Sequence, residues 1–204
     1  MNRQLILGIA LLGASLGASA QTAATTVQRD VNQQERIEQG LKSGALSTSE
    51  AARLEREQSA ISRQQARALA DGKLTPAEQA RLRASQNKAS RDIRAAKTNE
   101  VTGDPQSGSS QRMQADVQRN INQSKRIEAG VQNGSLTNHE VAKLERGQAR
   151  VEGKEARAGR DGHVSAGRDG HVSAAEQARV QRTENRQSRR IRHEKHDAQV
   201  RNPG

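Results

Sequence analysis

An eight-residue pattern that occurs four times constrains the fold of this chain more than any other feature. Each copy reads small polar residue, Gly, any residue, aliphatic residue, Ser or Thr, two variable residues and Glu. Glycine tolerates the left-handed conformation that ends many helices, and Ser or Thr followed three residues later by Glu is the capping box that begins the next helix. The pattern therefore predicts four helix–tight turn–helix junctions, at residues 43–50, 71–78, 133–140 and 169–176.

The chain also repeats itself over two long units, residues 21–98 and 113–198, and each unit contains two of these turns. Residues 27–33 parallel 117–123, and residues 90–94 parallel 188–192. Such a duplication predicts one supersecondary unit of three helices that occurs twice. The predicted helices are 26–42, 48–70 and 76–97 in the first unit, and 113–132, 138–158 and 174–198 in the second.

Residues 99–112, between the units, contain Pro105 and a run of Gly and Ser, and are predicted to be a flexible linker. Within the second unit, residues 159–166 are repeated letter for letter as 167–174. We interpret this as a tandem duplication in the gene, because an insertion at a turn costs little. The alternative is a loop that presents paired Asp and His ligands. Residues 199–204 form a short tail.

Residues 1–20 have the pattern of a secretory signal. Arg3 precedes a short apolar run, and Ala18, Ser19 and Ala20 form a small-residue cleavage site. The apolar run is too short for a permanent membrane span, and the chain has no Cys for a lipid anchor or a disulfide. The alternative is a buried N-terminal helix. The sequence predicts a periplasmic or secreted protein that has no transmembrane segment after signal removal.

The composition predicts helices with thin contact faces. The chain has no aromatic residue and is 31% hydrophobic, whereas helix-forming Ala, Gln, Arg, Glu and Lys are abundant. Leu54 and Ile61 are one heptad apart, as are Leu144 and Val151, so narrow apolar stripes are expected. The predicted fold class is all-α, with two tandem three-helix units and tight capped turns, elongated or loosely bundled. Self-association is expected as one way to complete the stripes; a largely disordered chain is the competing interpretation.

The turn pattern resembles the second half of an EF-hand loop, in which Asp-Gly-x-aliphatic-Ser/Thr-x-x-Glu supplies positions five to twelve. The resemblance implies oxygen ligands for calcium in two copies. Arg67 and Leu69 stand at the first and third ligand positions of the second copy, so the loop is degenerate there, and helix capping explains the same residues without a metal. The matching residues are Asp71, Thr75, Glu78, Asp169, Ser173 and Glu176.

All five histidines lie in the second unit, and two of them have the spacing of metal ligands. His193 and His196 are three residues apart on a predicted helix, which puts both imidazoles on one face, as a copper, nickel or zinc site needs. Two ligands make a weak site, and the first unit has Ala95 and Thr98 at the matching positions. We expect no cofactor, with Ca²⁺ or a transition metal as the alternative.

The net charge is +11, and the last predicted helix is the most basic part of the chain. Basic helices attract polyanions through counterion release and long-range attraction. Predicted export and the lack of aromatic residues for base stacking weigh against nucleic acid, which leaves anionic envelope components or a protein partner. The competing interpretation is that these charges only keep the helices in solution. The candidate polyanion-binding residues are Arg179, Arg182, Arg186, Arg189, Arg190, Arg192 and Lys195.

No motif predicts catalysis. The chain has no Cys nucleophile, no Gly-x-Ser-x-Gly elbow and no phosphate-binding P-loop. The sequence predicts a non-enzymatic binding or structural protein of the cell envelope that uses basic helical faces on anionic envelope components or protein partners. A periplasmic metal-ion binding protein with degenerate EF-hand-like turns is the alternative.

Overall fold

A computed structural model describes residues 15–159 and 172–196, which form six helices and confirm the all-α prediction. None of these helices combines the length and the apolar character that a membrane span requires. The helices are α1 Ser15–Ser43, α2 Thr48–Ala68, α3 Pro76–Lys97, α4 Gly108–Gln132, α5 Asn138–Ala158 and α6 Ala174–His196.

The tight turns have the structure that the eight-residue pattern predicts. Before α2, the Ser47 hydroxyl accepts the Glu50 N–H at 3.3 Å, and the Glu50 carboxylate accepts the Ser47 N–H at 3.0 Å. The same reciprocal pair caps α3, α5 and α6. Gly44, Gly72 and Gly134 have φ angles of 74°, 83° and 76°, which glycine adopts without steric cost. The glycine of the fourth copy lies outside the described residues.

Helix α4 begins at Gly108, inside the segment that was predicted to be a linker, rather than at residue 113. The Ser107 side chain caps the helix by accepting the Ser110 N–H at 3.2 Å. The Ser109 hydroxyl then accepts the Val172 N–H at 3.0 Å. The linker prediction is therefore wrong for residues 108–112, because this Ser-rich run starts a helix and packs against the chain that leads into α6.

The rest of the connection between the units lies against the first turn. The Gly103 N–H donates to the Gly44 carbonyl at 2.8 Å. A Cβ atom on Gly103 would overlap the Leu46 carbonyl, so this approach requires glycine. Residues 99–107, which the sequence predicts to be part of a flexible linker, thus make specific contacts with the first unit.

Helix α1 extends to Ser15, well before its predicted start at residue 26. Residues 1–14, which hold most of the predicted signal, lie outside the described residues, as do residues 160–171, which hold most of the duplicated octapeptide. Cleavage after Ala20 would leave residues 21–43 as the first helix.

The two units pack against each other through equivalent helices. Helix α1 lies along α4 and α2 lies along α5, while α3 and α6 each pack on the other two helices of their own unit. The Ser59 hydroxyl donates to the Ala149 carbonyl at 2.8 Å, and the Ser62 hydroxyl donates to the Glu152 carboxylate at 2.9 Å. Both pairs join positions 90 residues apart, which are equivalent in the duplication. Contacts between equivalent positions are typical of a two-fold relation, so the units form one bundle about a pseudo-two-fold axis.

Apolar side chains form two clusters, and each cluster takes residues from both units. The predicted heptad pairs Leu54 with Ile61 and Leu144 with Val151 are all buried, which confirms those stripes. The stripes expected to be completed by another chain are covered by the other unit of the same chain. The first cluster includes Ile37, Leu54, Ile93, Met113, Val117 and Val180. The second includes Val27, Leu69, Ile127, Leu136, Leu144 and Ile191.

Candidate functional site

Helices α5 and α6 leave an open groove between them on the surface of the second unit. The part between the end of α5 and the start of α6, lined by Lys154, Arg157, Arg179, Arg182 and Arg186 and called the inner groove below, has a volume of about 380 Å³. An adjoining hollow of about 280 Å³ shares several of the same side chains. We call the two together the basic groove. Its basic residues are Arg150, Lys154 and Arg157 from α5, and Arg179, Arg182, Arg186 and Arg190 from α6.

The helical repeat puts these side chains together. Arg150, Lys154 and Arg157 follow at intervals of four and three residues, which lines them up on one face of α5. The four arginines of α6 have the same spacing. The neighbouring face of α6 carries Val180 and Ile191, which are buried in the two apolar clusters. The amphipathic pattern that anchors α6 therefore turns its arginine face outward, toward the groove.

No carboxylate in the described ranges lies within 4.0 Å of any of these seven cations. Lys154 donates to the Thr183 hydroxyl at 2.6 Å. Partial burial and three neighbouring guanidinium groups, chiefly that of Arg186, lower the pKa of this lysine. The acidic residue of the groove, Glu176, uses its carboxylate to cap Ser173 at the start of α6. Among the described residues, the groove thus holds like charges close together with no carboxylate in ion-pair contact with them.

The first unit has the equivalent groove between α2 and α3. Its hollow has a volume of about 300 Å³. Lys88, which matches Arg186, pairs with Asp92 at 2.5 Å and lies 3.9 Å from Glu57. The Ser85 hydroxyl donates to the Gln64 side chain at 2.8 Å, in the place of the Lys154–Thr183 contact. The lining residues of this hollow are Gln64, Arg67, Ala68, Glu78 and Arg81, which match Lys154, Arg157, Ala158, Glu176 and Arg179.

Five differences between the units change the charge of the groove, and all five make the second groove more positive. Basic residues replace Ala60, Gln64, Ala84 and Asp92, and a glycine replaces Glu57. Seven basic residues and one acidic residue line the basic groove, whereas the matching positions of the first unit hold three of each. The replacements in the second unit are Arg150, Lys154, Arg182, Arg190 and Gly147.

The structure divides the polyanion-binding residues that the sequence predicted. Arg179, Arg182, Arg186 and Arg190 line the basic groove. The remaining three, Arg189, Arg192 and Lys195, lie elsewhere on α6, and the two arginines are exposed. The three cations of α5 were missed, because sequence reasoning considered the last helix alone. A position-by-position alignment of the two units would have shown the gained charges.

The predicted metal ligands are engaged in turns or exposed. The Asp71 carboxylate accepts the Lys73 N–H at 3.0 Å, and Glu78 caps Thr75. Ser173 and Glu176 form the cap of α6, and Asp169 lies outside the described residues. His193 and His196 are exposed. Over residues 15–159 and 172–196, no group of three or more His, Asp or Glu residues could hold a metal ion. Metal binding stays a prediction that a titration would test.

A polar seam runs between the two apolar clusters, along the contact of α2 with α5, and sequence reasoning missed it. Glu55, Glu145, Glu152 and Glu155 are at most 4% exposed. Gln34 Nε2 donates to the Glu55 carboxyl group at 3.1 Å, and Asn120 Nδ2 donates to Glu155 at 2.6 Å. No basic residue of the described chain lies within 4.0 Å of these four acids.

Burial therefore raises the pKa of each of these acids. The pKa of Glu55 rises to about 7, and the pKa values of the other three rise well above the usual range. Burial likewise raises the pKa of Asp30 to about 7 and that of Asp116 to about 8. An ionised carboxylate without a cationic partner is destabilising in such a place, so the four glutamic acids of the polar seam are held as neutral acids at mildly acid pH.

No protein-family model, curated protein or solved structure matches the chain. Guanidinium groups stay protonated and donate hydrogen bonds in a planar fork that suits phosphate and carboxylate oxygens. The basic groove can hold anions, and the one carboxylate among its described lining residues, that of Glu176, caps the start of α6.

Proposed function

We propose that this chain is a non-catalytic, exported helical protein that binds anionic components of the cell envelope through the basic groove and the adjoining surface of α6. The observation that carries the proposal is the contrast between the two units. The same groove is balanced in the first unit and holds seven cations against one acid in the second. Surface charge that serves solubility is usually mixed in sign, as it is in the first unit.

The energetics support an anionic partner. Seven like charges on two adjacent helices repel each other, and repulsion from Arg186, Arg157 and Arg182 adds to partial burial in lowering the pKa of Lys154. An anion in the groove would replace repulsion with attraction, and it would release the counterions that otherwise neutralise the site. The signal-like residues 1–20 support export of the protein to the cell envelope. Lipid headgroups and lipopolysaccharide in the envelope carry phosphate groups that could bind the groove.

Co-sedimentation with lipid vesicles tests the proposal. Residues 21–204 should bind vesicles that contain phosphatidylglycerol and should not bind vesicles of phosphatidylcholine alone. Binding should weaken about ten-fold or more as NaCl rises from about 50 to about 200 mM, because the contacts are ionic. Equal binding to both vesicle types, or binding that salt does not change, would contradict the proposal.

A pair of variants with the same loss of charge localises the binding surface. Arg182→Ala with Arg186→Ala removes two cations from the basic groove, whereas Arg67→Ala with Arg81→Ala removes two from its counterpart. We expect the first pair to weaken vesicle binding and the second pair to leave it nearly unchanged. An equal effect of both pairs would mean that net charge, and not the groove, attracts the vesicles.

A further inference from the structure

We infer that the inner part of the basic groove is a binding site for a small ligand or headgroup that carries two adjacent phosphate groups. The inference rests on the proposed function and adds the class of ligand and the residues that select it. Those residues are Lys154 and Arg157 on α5, and Arg179, Arg182 and Arg186 on α6.

The size of the inner groove limits the ligand to a small group. Its volume of about 380 Å³ is at the lower end of the range of about 300 to 1,000 Å³ for small-molecule sites. Buried Ala158 and Val180 also line the groove and give it a short apolar floor.

The charge of the inner groove selects a ligand with two phosphates. Five basic residues and Glu176 leave four net positive charges. One phosphate ester carries about −1.5 to −2 at neutral pH, so a single one would neutralise about half of the site. Two adjacent phosphate esters together carry about −3 to −4. A diphosphate, which has fewer ionisable oxygens, carries somewhat less, so either ligand neutralises most of the inner groove. A single carboxylate would leave most of the repulsion in place.

Donors on the two helices are positioned to bind from both sides. Lys154 uses one of its three N–H donors on the Thr183 hydroxyl, which fixes the ammonium group and leaves two donors for a ligand. Arg157 uses its Nε on the Gly153 carbonyl at 3.0 Å, which leaves the terminal nitrogens of its fork. The α6 arginines face them across the groove. Two phosphates side by side would bridge α5 and α6.

The duplication supplies variants that should fold, because the first unit already carries the same residues. Gln64 stands where the second unit has Lys154, and Ala84 stands where it has Arg182. The double variant Lys154→Gln with Arg182→Ala gives the second groove the residues of the first at both places. Arg67→Ala with Arg81→Ala is the control with the same loss of charge in the first unit.

Isothermal titration calorimetry of residues 21–204 with inorganic pyrophosphate and orthophosphate tests the inference. We expect one pyrophosphate to bind per chain. It should bind at least about ten-fold more tightly than orthophosphate, because its second phosphate group contacts additional cations of the groove. The variant Lys154→Gln with Arg182→Ala should weaken pyrophosphate binding at least about ten-fold, and the control pair should not. Thermal melts of both variants verify that they are folded.

Vesicles distinguish the sources of the phosphates. If the natural ligand is a lipid headgroup, vesicles with a diphosphorylated glycolipid should compete with pyrophosphate for the site. If the natural ligand is a free solute, these vesicles should fail to compete. Either result is consistent with a diphosphate site. Equal affinity for pyrophosphate and orthophosphate, or equal losses in both variant pairs, would overturn the inference. If salt-sensitive binding to anionic vesicles persisted in that case, the proposed function would stand without the diphosphate site; if it were lost as well, both would fail.

Discussion

Glu155 illustrates how single residues adapt this chain to a polar interior. Its carboxyl group accepts a hydrogen bond from Asn120 at 2.6 Å and is 1% exposed. The equivalent residue of the first unit is Gln65, whose amide donates to Asp30, the equivalent of Asn120. Both units therefore have one acid and one amide joined by a hydrogen bond, but the acid is on α1 in the first unit and on α5 in the second. A neutral carboxyl group and an amide are thus interchangeable at this position.

This leads to a prediction for Glu155→Gln. Burial raises the pKa of Glu155 in the folded chain, so between the usual pKa and the raised one the folded state holds a proton that the unfolded state has released. The free energy of unfolding therefore falls as pH rises through that window. Glutamine removes the titration, so the variant should melt several degrees above the parent at pH 8 and close to it at pH 4.5.

Thermal melts across that pH range check this prediction, with Glu100→Gln as the control. Glu100 is exposed, and its substitution should leave the pH dependence of the melting temperature unchanged. A Glu155→Gln variant that is destabilised equally at both pH values would contradict the prediction, since it would show that Glu155 acts through shape or through its ionised form.

At the scale of the helix and its turn, the burial of a capping box determines how much it contributes to the free energy of unfolding. The Thr137–Glu140 box at the start of α5 contains a Glu that is 1% exposed. The Thr75–Glu78 box at the start of α3 is made by the same residue types, but Thr75 is exposed. Loss of the hydroxyl at the buried cap leaves the Glu140 N–H without its acceptor and removes one of the two donors of the Glu140 carboxylate, whereas water replaces the hydroxyl at an exposed cap.

We therefore expect Thr137→Ala to cost about 1 to 2 kcal/mol of unfolding free energy and Thr75→Ala to cost about 0.5 to 1 kcal/mol. Urea denaturation of the two variants beside the parent measures the difference. Equal costs, or a larger cost for Thr75→Ala, would show that the buried position of Glu140 does not strengthen the cap.

How well each element could be predicted depends on how local its signals are. The caps at the starts of α2, α3, α5 and α6 were predicted because a capping box needs only residues within one turn of each other. The start of α4 was missed because Ser107 bonds Ser110 rather than a Glu, and because Ser109 finds its partner at Val172, distant in sequence. The arginine face of α6 shows in the spacing of its residues, but the contribution of Lys154 depends on how α5 packs.

The polar seam was missed for a related reason. Glu55 and Glu145 read as surface residues because Glu is rarely buried. Only the packing of α2 against α5 shows that Glu55 and Glu145 are buried. No local sequence pattern predicts which faces of two distant helices pack together. The duplication contained a hint, since a contact between equivalent helices would bury equivalent residues of both units.

For the whole molecule, the contact between the units makes the bundle one cooperative body. Both apolar clusters and the polar seam take residues from each unit. Neither unit can unfold without exposing the buried face of the other. We expect residues 21–204 to unfold in a single transition at pH 5, where the buried acids are neutral, with equal calorimetric and van't Hoff enthalpies.

Differential scanning calorimetry tests this. A fragment of residues 21–98 should lack the transition, because its α1 and α2 faces have lost α4 and α5. Two separable transitions in the full chain, or a cooperative melt of the fragment alone, would contradict a shared interior.

The measurement that tests the central claim most directly is the acetylation rate of each lysine with and without anionic vesicles, read by mass spectrometry. Lys154 lies in the basic groove, and Lys88 lies beside the balanced counterpart. At a vesicle concentration about ten times the dissociation constant, the acetylation of Lys154 should slow about ten-fold, because only the unoccupied fraction of the protein reacts. The rate at Lys88 should stay nearly constant. Equal protection of both lysines, or protection of neither, would contradict the assignment of anion binding to the second unit's groove.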